Sequence, residues 1–396
     1  MKIIIIGAGE VGFHIASHLA LENKDVVIVD KNANALRRVS DNLDVQVLQG
    51  SGSSPTVLEE AGLRSAEIML AVTNSDEANL VACLVANIVS PSTKKLARIR
   101  NADYDDYHGT FRENAPYIDT VINPDIEVVK TIDRMMTVPG AVDVGEFADG
   151  RIKFVGIKVD EDSPLNRVQL IDLPGRLDGI RLLIAAIMRD EELIIPRGKD
   201  RLMAGDLVYF ITASEQLETT LATLGKQEEP LRRVLIIGGG RIGYRLASVL
   251  EERNLSCKII EKDSAKCDRL ADRLNKAVVL HGDGSDQSLL AEENVGDMDT
   301  VVTLTNDEET NILASLLTRR MGIRKCITRI SKFSYFPLMA TIGIEQVVSP
   351  RLSAINSIIQ HVRRGKVLSA MSIKGEQAEI MEAVAMETSA IVGKPL

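Results

Sequence analysis

The chain has 396 residues, 47 Lys and Arg against 56 Asp and Glu, a formal net charge of −9 and a pI near 5.3. That balance argues against a nucleic-acid binder, which carries a basic domain or stripe, and against a polybasic membrane-surface protein. Aromatics are 3 % and Trp is absent, so bases have few rings to stack on, while 45 % hydrophobic residues argue against disorder. At about 150 residues per domain the length predicts two to three domains.

The chain opens on an apolar run, residues 3–6, that is too short for a secretory h-region and runs into glycines. It reads as a strand. The turn Gly7-Ala8-Gly9-Glu10-Val11-Gly12 follows, then a helical stretch with Val11, Ile15 and Leu19 on one face. A second apolar strand, residues 26–30, ends in Asp30. Further strands fall at residues 45–48, 68–72, 96–99 and 120–122. The longest apolar block, residues 80–89, is about half of a spanning helix and reads as a buried helix. Short, continuously apolar strands alternating with helices predict a doubly wound parallel sheet covered on both faces.

A helix over residues 126–136 leads to the break Pro139-Gly140. From residue 142 to 224 the pattern changes to a small α+β module. Its landmarks are Pro174-Gly175-Arg176, a strand at 182–188, the turn Pro196-Arg197-Gly198, and Ala204-Gly205-Asp206 before a strand at 207–212. A charged linker, residues 225–230, follows. Then the first pattern returns.

Gly238-Gly239-Gly240-Arg241-Ile242-Gly243 stands 231 residues after the first glycine turn, Glu261 stands 231 after Asp30, and Arg329 stands 231 after Arg98. Gly282-Asp283-Gly284-Ser285 and the run from Thr305 to Asn311 stand 232 after Gly50-Ser51-Gly52-Ser53 and the run from Thr73 to Asn79. Polar loop residues have no packing reason to recur in one register, so a shared site explains them better. After Pro124 and Pro350 the offset becomes 226, and at that offset nothing matches residues 171–225. The expectation is a second small module cut short, with residues 375–396 poorly packed or borrowing a neighbour's edge. The predicted domains are 1–123 and 232–349 (doubly wound sheets), 124–140 and 350–364 (crossover helices), 141–225 (complete small module) and 365–396 (incomplete one).

In each copy the first glycine permits the sharp turn, the second lets backbone approach a pyrophosphate, and the third lets helix and strand pack closely. The helix start offers unpaired N–H groups to phosphate. Asp30 and Glu261, with Lys31 and Lys262 beside them, end the second strands, where a carboxylate accepts both ribose hydroxyls and repels a 2′-phosphate. NAD(H) or an adenine nucleotide therefore fits, and NADP(H) does not. The Gly50 and Gly282 loops, with Ser51 and Asp283, border the adenine in this reading, or are ordinary strand-end turns. Thr73-Asn74 and Thr305-Asn306 reach the ligand edge, or the Asn or the Asp after it caps the next helix, or both. Arg98 and Arg329 reach phosphate, or make surface ion pairs. Glu10 stands where the second copy has Arg241, and Arg100 where it has Ser331, so the two sites are expected to differ in affinity or nucleotide.

Five histidines (His14, His18, His108, His281 and His361) form no catalytic or metal pattern, and neither a Tyr-x-x-x-Lys pair nor a G-x-S-x-G turn occurs. Cys83, Cys257, Cys267 and Cys326 show no C-x-x-C spacing and read as reduced thiols. Two nucleotide sites without a reaction attached predict a ligand-gated switch. The other reading is a soluble NAD-dependent oxidoreductase whose substrate domain is residues 142–224.

These motifs, taken together, make the chain similar to the RCK/KTN family, the nucleotide-binding regulatory proteins of Trk-type potassium uptake. The resemblance implies two Rossmann-like units binding NAD or NADH, or ATP or ADP, through residues 7–12, Asp30, Thr73, Asn74, Arg98 and their second-copy equivalents. It implies pairing through crossover helices at 124–136 and 350–362 and self-association into a dimer or tetramer. It also implies docking on a membrane potassium channel or transporter subunit, at the cytoplasmic, inner face of the cell membrane.

Overall fold

The computed structural model describes residues 1–138, 140–177, 179–190, 192–226, 231–363, 367–373, 378–387, 389 and 392–393. The chain runs through β1 (Lys2–Ile6), α1 (Glu10–Leu21), β2 (Asp25–Asp30), α2 (Ala33–Asn42), β3 (Gln46–Gln49), α3 (Pro55–Glu60), β4 (Ile68–Ala71), α4 (Asp76–Val89), β5 (Lys94–Arg98), α5 (His108–Glu113) and β6 (Thr120–Ile122). The helix α6 (Pro124–Thr137) leads into β7 (Ala141–Phe147), β8 (Ile152–Lys158), β9 (Leu182–Arg189), β10 (Glu192–Ile194), β11 (Leu207–Ala213) and α7 (Leu217–Thr223). The second repeat comprises β12 (Arg233–Ile237), α8 (Arg241–Glu252), β13 (Ser256–Glu261), α9 (Ser264–Arg273), β14 (Val278–His281), α10 (Gln287–Glu292), β15 (Thr300–Thr303), α11 (Glu308–Arg320), β16 (Lys325–Arg329), α12 (Phe336–Thr341) and β17 (Gln346–Val348). The helix α13 (Pro350–Val362) and the strands β18 (Val367–Ile373) and β19 (Ala378–Ala383) close the sequence of elements.

Two compact units result, Met1–Glu127 with Pro350–Lys366, and Val128–Ser349 with Val367–Leu396. In the first, six parallel strands lie in the order β3-β2-β1-β4-β5-β6. Ile3, Ile4, Ile5 and Ile6 are all buried, which is why β1 shows no polar alternation: helices cover both faces of the sheet. The strand order reverses between β1 and β4, and the carboxyl edge there is where such sheets leave a crevice. The block at 80–89 is not buried all round. The α4 helix buries Asn79, Ala82, Cys83 and Ala86, while Ile88 is 73 % exposed and Val81 and Leu84 also face out. Only one face of it meets the sheet.

The helix α13, although it follows the second repeat, packs along α1 and beside β6. It buries Ala354, Ile355, Ile358 and Val362, and Arg363 just beyond it bonds Glu22 at 2.7 Å.

The second unit holds a sheet of the same order, β14-β13-β12-β15-β16-β17, again parallel. Val128, Val129, Ile132, Met135 and Met136 of α6 join its core beside Val234, Ile236, Ile242 and Leu246. Two doubly wound sheets in tandem, with a small α+β module between them, are thus the observed fold class. That module is an antiparallel sheet, β10-β9-β11-β8-β7. Alternation along it sends Val155, Ile157, Val208 and Phe210 toward α7 and Phe154 and Tyr209 to the opposite face.

On that opposite face the expectation for residues 375–396 holds in part: residues 383–387 and 392–393 are exposed, whereas the strand before them is packed. β18 and β19 pair antiparallel with each other. Met371, Ile373, Ala378 and Ile380 pack against Phe147, Phe154 and Tyr209. A Cβ on Gly145 would sit 2.5 Å from the Met371 sulfur, so the hairpin lies close. Alternate apolar residues give the hairpin one oily face, which this packing covers. Residues 375–377, 388, 390, 391 and 394–396 of that range lie outside the described residues.

Candidate nucleotide sites

At the carboxyl edge of the first sheet lies a crevice of about 600 Å³. Gly7, Gly9, Glu10 and Val11 line it from the glycine turn, Asp30 and Lys31 from the end of β2, Gly50 and Ser51 from the loop after β3, Thr73 and Asn74 from the end of β4, and Arg98 from the end of β5. Ala8 and Gly12 are not in the lining. Each has a supporting place behind it.

Gly7 takes a φ of +112°, which carries the chain off β1 into α1. A Cβ on Gly12 would stand 1.8 Å from the Gly7 carbonyl oxygen, so only glycine lets this helix approach the turn. A Cβ on Gly9 would meet no protein atom within 4 Å; its bare side faces open space. Gly9 is also the N-cap of α1 and makes no side-chain cap hydrogen bond. By contrast Asn32 and Ser75 cap α2 and α4 with their side chains. The first-turn N–H groups of α1 are therefore left for an anion, and the helix dipole favours one there.

Asp30 holds backbone as well as lining the crevice. Its Oδ2 accepts the Ala8 N–H at 2.6 Å and its Oδ1 accepts the Asn32 N–H at 2.8 Å. Each oxygen keeps a second acceptor position. Glu10 pairs with Arg38, which lies over the Phe13 ring. The hydrogen bond from Arg38 holds the Glu10 carboxyl below its ordinary range.

Arg98 is the unsettled charge. Its Nε is buried and makes no hydrogen bond. Burial draws the guanidinium down to about 10, and Arg100 adds to the effect. The surface ion pair weighed from sequence falls instead to Arg100, which bonds Asp76 at 3.5 Å. An arginine stripped of water beside an open crevice is suited to take a phosphate oxygen.

Helix capping falls to the residue after each Asn, to Asp307 as expected in the second copy and to Ser75 rather than Asp76 in the first. Ser75 caps α4, accepting the Ala78 N–H, and Asp307 caps α11, accepting the Thr310 N–H. Neither Asn does so. The fully buried Asn79 holds the strand end instead. Its Oδ1 accepts from the Thr73 N–H at 3.0 Å and its Nδ2 donates to the Arg98 carbonyl at 2.7 Å. Asn311 repeats this with Thr305 and the Arg329 carbonyl. Both asparagines stand in the repeated polar block, which was the signal available in the sequence. Arg351 gave no such signal. It comes from the first turn of α13 and joins the crevice wall.

The second glycine turn has the same skeleton. Gly238 takes a φ of +108°, Gly243 lies where a Cβ would be 2.1 Å from the Gly238 carbonyl oxygen, and Gly240 faces open space. Glu261 accepts the Gly239 N–H at 2.8 Å. Ile242 is buried and Arg241 is exposed at the start of α8. Other groups here are already engaged. Lys262 bonds Asp283 at 2.8 Å, joining the end of β13 to the Gly282 loop. This pair and two bonds from Ser285 hold the Asp283 carboxyl well below its ordinary range. Arg329 donates to the Leu304 and Thr305 carbonyls and to Asn306 Oδ1 at 3.0 Å.

No group of three or more His, Cys, Asp or Glu able to hold a metal occurs among the described residues. The four cysteines are free, and burial raises the thiols of Cys83 and Cys257 to about 12. No helix among the described residues is long and apolar enough to cross a membrane.

A doubly wound sheet with a glycine turn, an acid at the end of β2 and an open carboxyl-edge crevice defines a Rossmann-type nucleotide-binding protein. The TrkA-N domain family matches residues 3–124 and 234–350, and the TrkA-C domain family matches residues 154–225. The chain is 39 % identical to the Trk system potassium uptake protein TrkA of Halomonas elongata, covering all of this chain and 87 % of that one. It is 37 % identical to the trkA homolog 1 of Methanosarcina mazei, covering all of this chain and 98 % of that one. The structure of the GsuK channel bound to NAD superposes with a TM-score of 0.64 at 19 % identity, over 91 % of this chain and 63 % of that one, a likeness of fold. The chain belongs to the TrkA family.

Proposed function

We propose that this protein is the nucleotide-sensing regulatory subunit of a potassium-uptake system. In this reading it binds NAD(H), or ATP or ADP, in the first crevice and gates a membrane transport subunit from the cytoplasmic face. The potassium role and the membrane partner rest on the TrkA relatives, whose names assign them to Trk potassium uptake. The observation that carries the nucleotide is the crevice. An uncapped helix start, the bare side of Gly9, a carboxylate with spare acceptor positions and the unbonded Nε of Arg98 all meet its one volume. A dinucleotide, which places a pyrophosphate between two ribosides, fits that series of groups.

The role is regulatory rather than catalytic. The relatives named for potassium uptake support this, and among the described residues the acids that line the crevice, Glu10 and Asp30, are engaged by Arg38 and by backbone N–H groups. Asp30 favours a free 2′-hydroxyl, which selects NADH over NADPH. Titration of the protein with NADH, followed by fluorescence and competed with ATP, ADP and NADPH, tests the reading. Binding of NADH displaced by ATP or ADP, but not by NADPH at equal concentration, is expected. A flat response to all four overturns it.

A further inference from the structure

The second unit contains another cavity, of about 220 Å³, where the small module meets the second doubly wound sheet. Five basic side chains and two carboxylates line it. The two acids are used up locally. Glu345 bonds Lys158 at 2.7 Å, and Asp160 bonds Lys226. Arg319 and Arg324 remain, exposed, and neither guanidinium makes a hydrogen bond or ion pair among the described residues.

Beside them Lys325, only 8 % exposed, sends its ammonium to the carbonyls of Met136 and Val138 at 3.4 and 3.3 Å. Arg319 stands in the last turn of α11, where a helix end explains one cation. It does not explain Arg324, which follows the turn and precedes β16. Arg319 also passes close to Gly343. Gly343, with a φ of +83°, leaves room for it, since a Cβ there would lie 3.0 Å from Arg319 Nη1. Like charges collected in one cleft repel unless an anion enters.

We propose that this cleft binds a small, multiply charged phosphate: inorganic phosphate, pyrophosphate or the terminal phosphate of a metabolite. The volume is about a third of the first crevice, below that of a pocket for a whole nucleotide. Two guanidinium groups offer paired N–H donors matched to phosphate oxygens. Lys158 belongs to the small module and Lys226 to the segment just after it, whereas Arg319 stands on α11 and Arg324 just before β16 of the second doubly wound repeat. A bound phosphate therefore ties the two together, at a place distinct from either glycine turn.

The test uses the full chain and the double variant Arg319→Gln/Arg324→Gln at constant ionic strength, with chloride as the balancing anion. Melting temperature and calorimetric binding are followed against orthophosphate, pyrophosphate and glycerol 3-phosphate. Wild type is expected to melt higher in phosphate than in chloride and to bind pyrophosphate at least about tenfold more tightly than the double variant. Without phosphate the double variant is expected to melt at the same temperature as wild type or above it, because repulsion is relieved. Its NADH titration is expected to match wild type. Glycerol 3-phosphate matching orthophosphate identifies a site for a terminal phosphate; its failure to bind identifies a site for the free ion. Equal phosphate responses in the two proteins, or no response in wild type, overturn the proposal.

Discussion

Asp30 and Ala8 are joined by a hydrogen bond of 2.6 Å from the Ala8 N–H to the Asp30 carboxylate. The acid at the end of β2 thereby fixes the glycine turn that follows β1. One side chain both shapes the glycine turn and lines the crevice in which the proposed nucleotide would lie. Asp30→Ala is expected to lower the melting temperature, with a stability loss of about 1–3 kcal/mol from the bonds to backbone N–H groups. It is also expected to weaken NADH by tenfold or more. Melting curves and NADH titrations on the same preparation check both. Unchanged values for each would remove the role assigned to this carboxylate.

The three glycines of the first turn separate into two kinds. Gly12→Ala puts a Cβ 1.8 Å from a backbone oxygen, and backbone cannot step aside cheaply. A loss of about 3 kcal/mol or more is expected, read by denaturant unfolding. Gly9 has a φ of −68°, so Gly9→Ala is tolerated by the fold. Its new methyl occupies open space in the crevice, and NADH binding is expected to fall while the melting temperature holds. Equal effects on folding from the two variants would contradict this division.

Arg98 carries a buried Nε without a partner, which is a cost to the empty protein. Arg98→Met is therefore expected to leave the ligand-free protein as stable as wild type or more so. The same change is expected to weaken NADH and ADP by about tenfold or more, the loss of a charge-assisted phosphate contact. Arg351→Gln is expected to weaken both ligands by a smaller factor. Calorimetry with each variant measures the losses, and undiminished affinity in Arg98→Met would exclude a phosphate contact there.

The Lys262–Asp283 pair predicts a pH dependence. Asp283 ionises below its ordinary 3.8 because Lys262 and Ser285 bond the charged form. A carboxyl depressed in the folded state adds stability that is complete above 3.8 and is lost as pH falls toward the folded value. The stability difference between wild type and Asp283→Asn should be constant above about pH 5 and shrink below pH 4, as acid-unfolding midpoints would show. The pair is partly exposed, so the difference should also shrink with salt. Freeing Lys262 should raise the affinity of the second turn for ADP. An unchanged ADP titration would show that the pair does not close that turn.

Much of the fold was legible because it is written in short-range terms. Four consecutive isoleucines in β1 require cover on both faces, and the 231-residue recurrence of the polar blocks marks the second copy. What stayed hidden depends on long-range placement. Arg351 joins the first crevice only because a helix that follows the second repeat packs into the first unit, and no spacing near residue 351 records that. The clasp from Asp30 to Ala8 was invisible because an acid at the end of β2 looks the same whether it holds a turn, a ribose or both. The solvent face of α4 was misread because apolar content alone does not say how many sides of a helix are covered.

The placement of α6 and α13 has a further consequence. Each doubly wound sheet is roofed by a helix that the opposite repeat did not need to keep for itself. A chain severed in the linker between residues 225 and 230 would yield two fragments, each with a greasy trough on one and an orphaned rod on the other. Such fragments should be insoluble apart and should find each other when mixed. Each repeat thus covers its sheet with a helix encoded by the other, so joining two in one polypeptide supplies both covers from a single translation product.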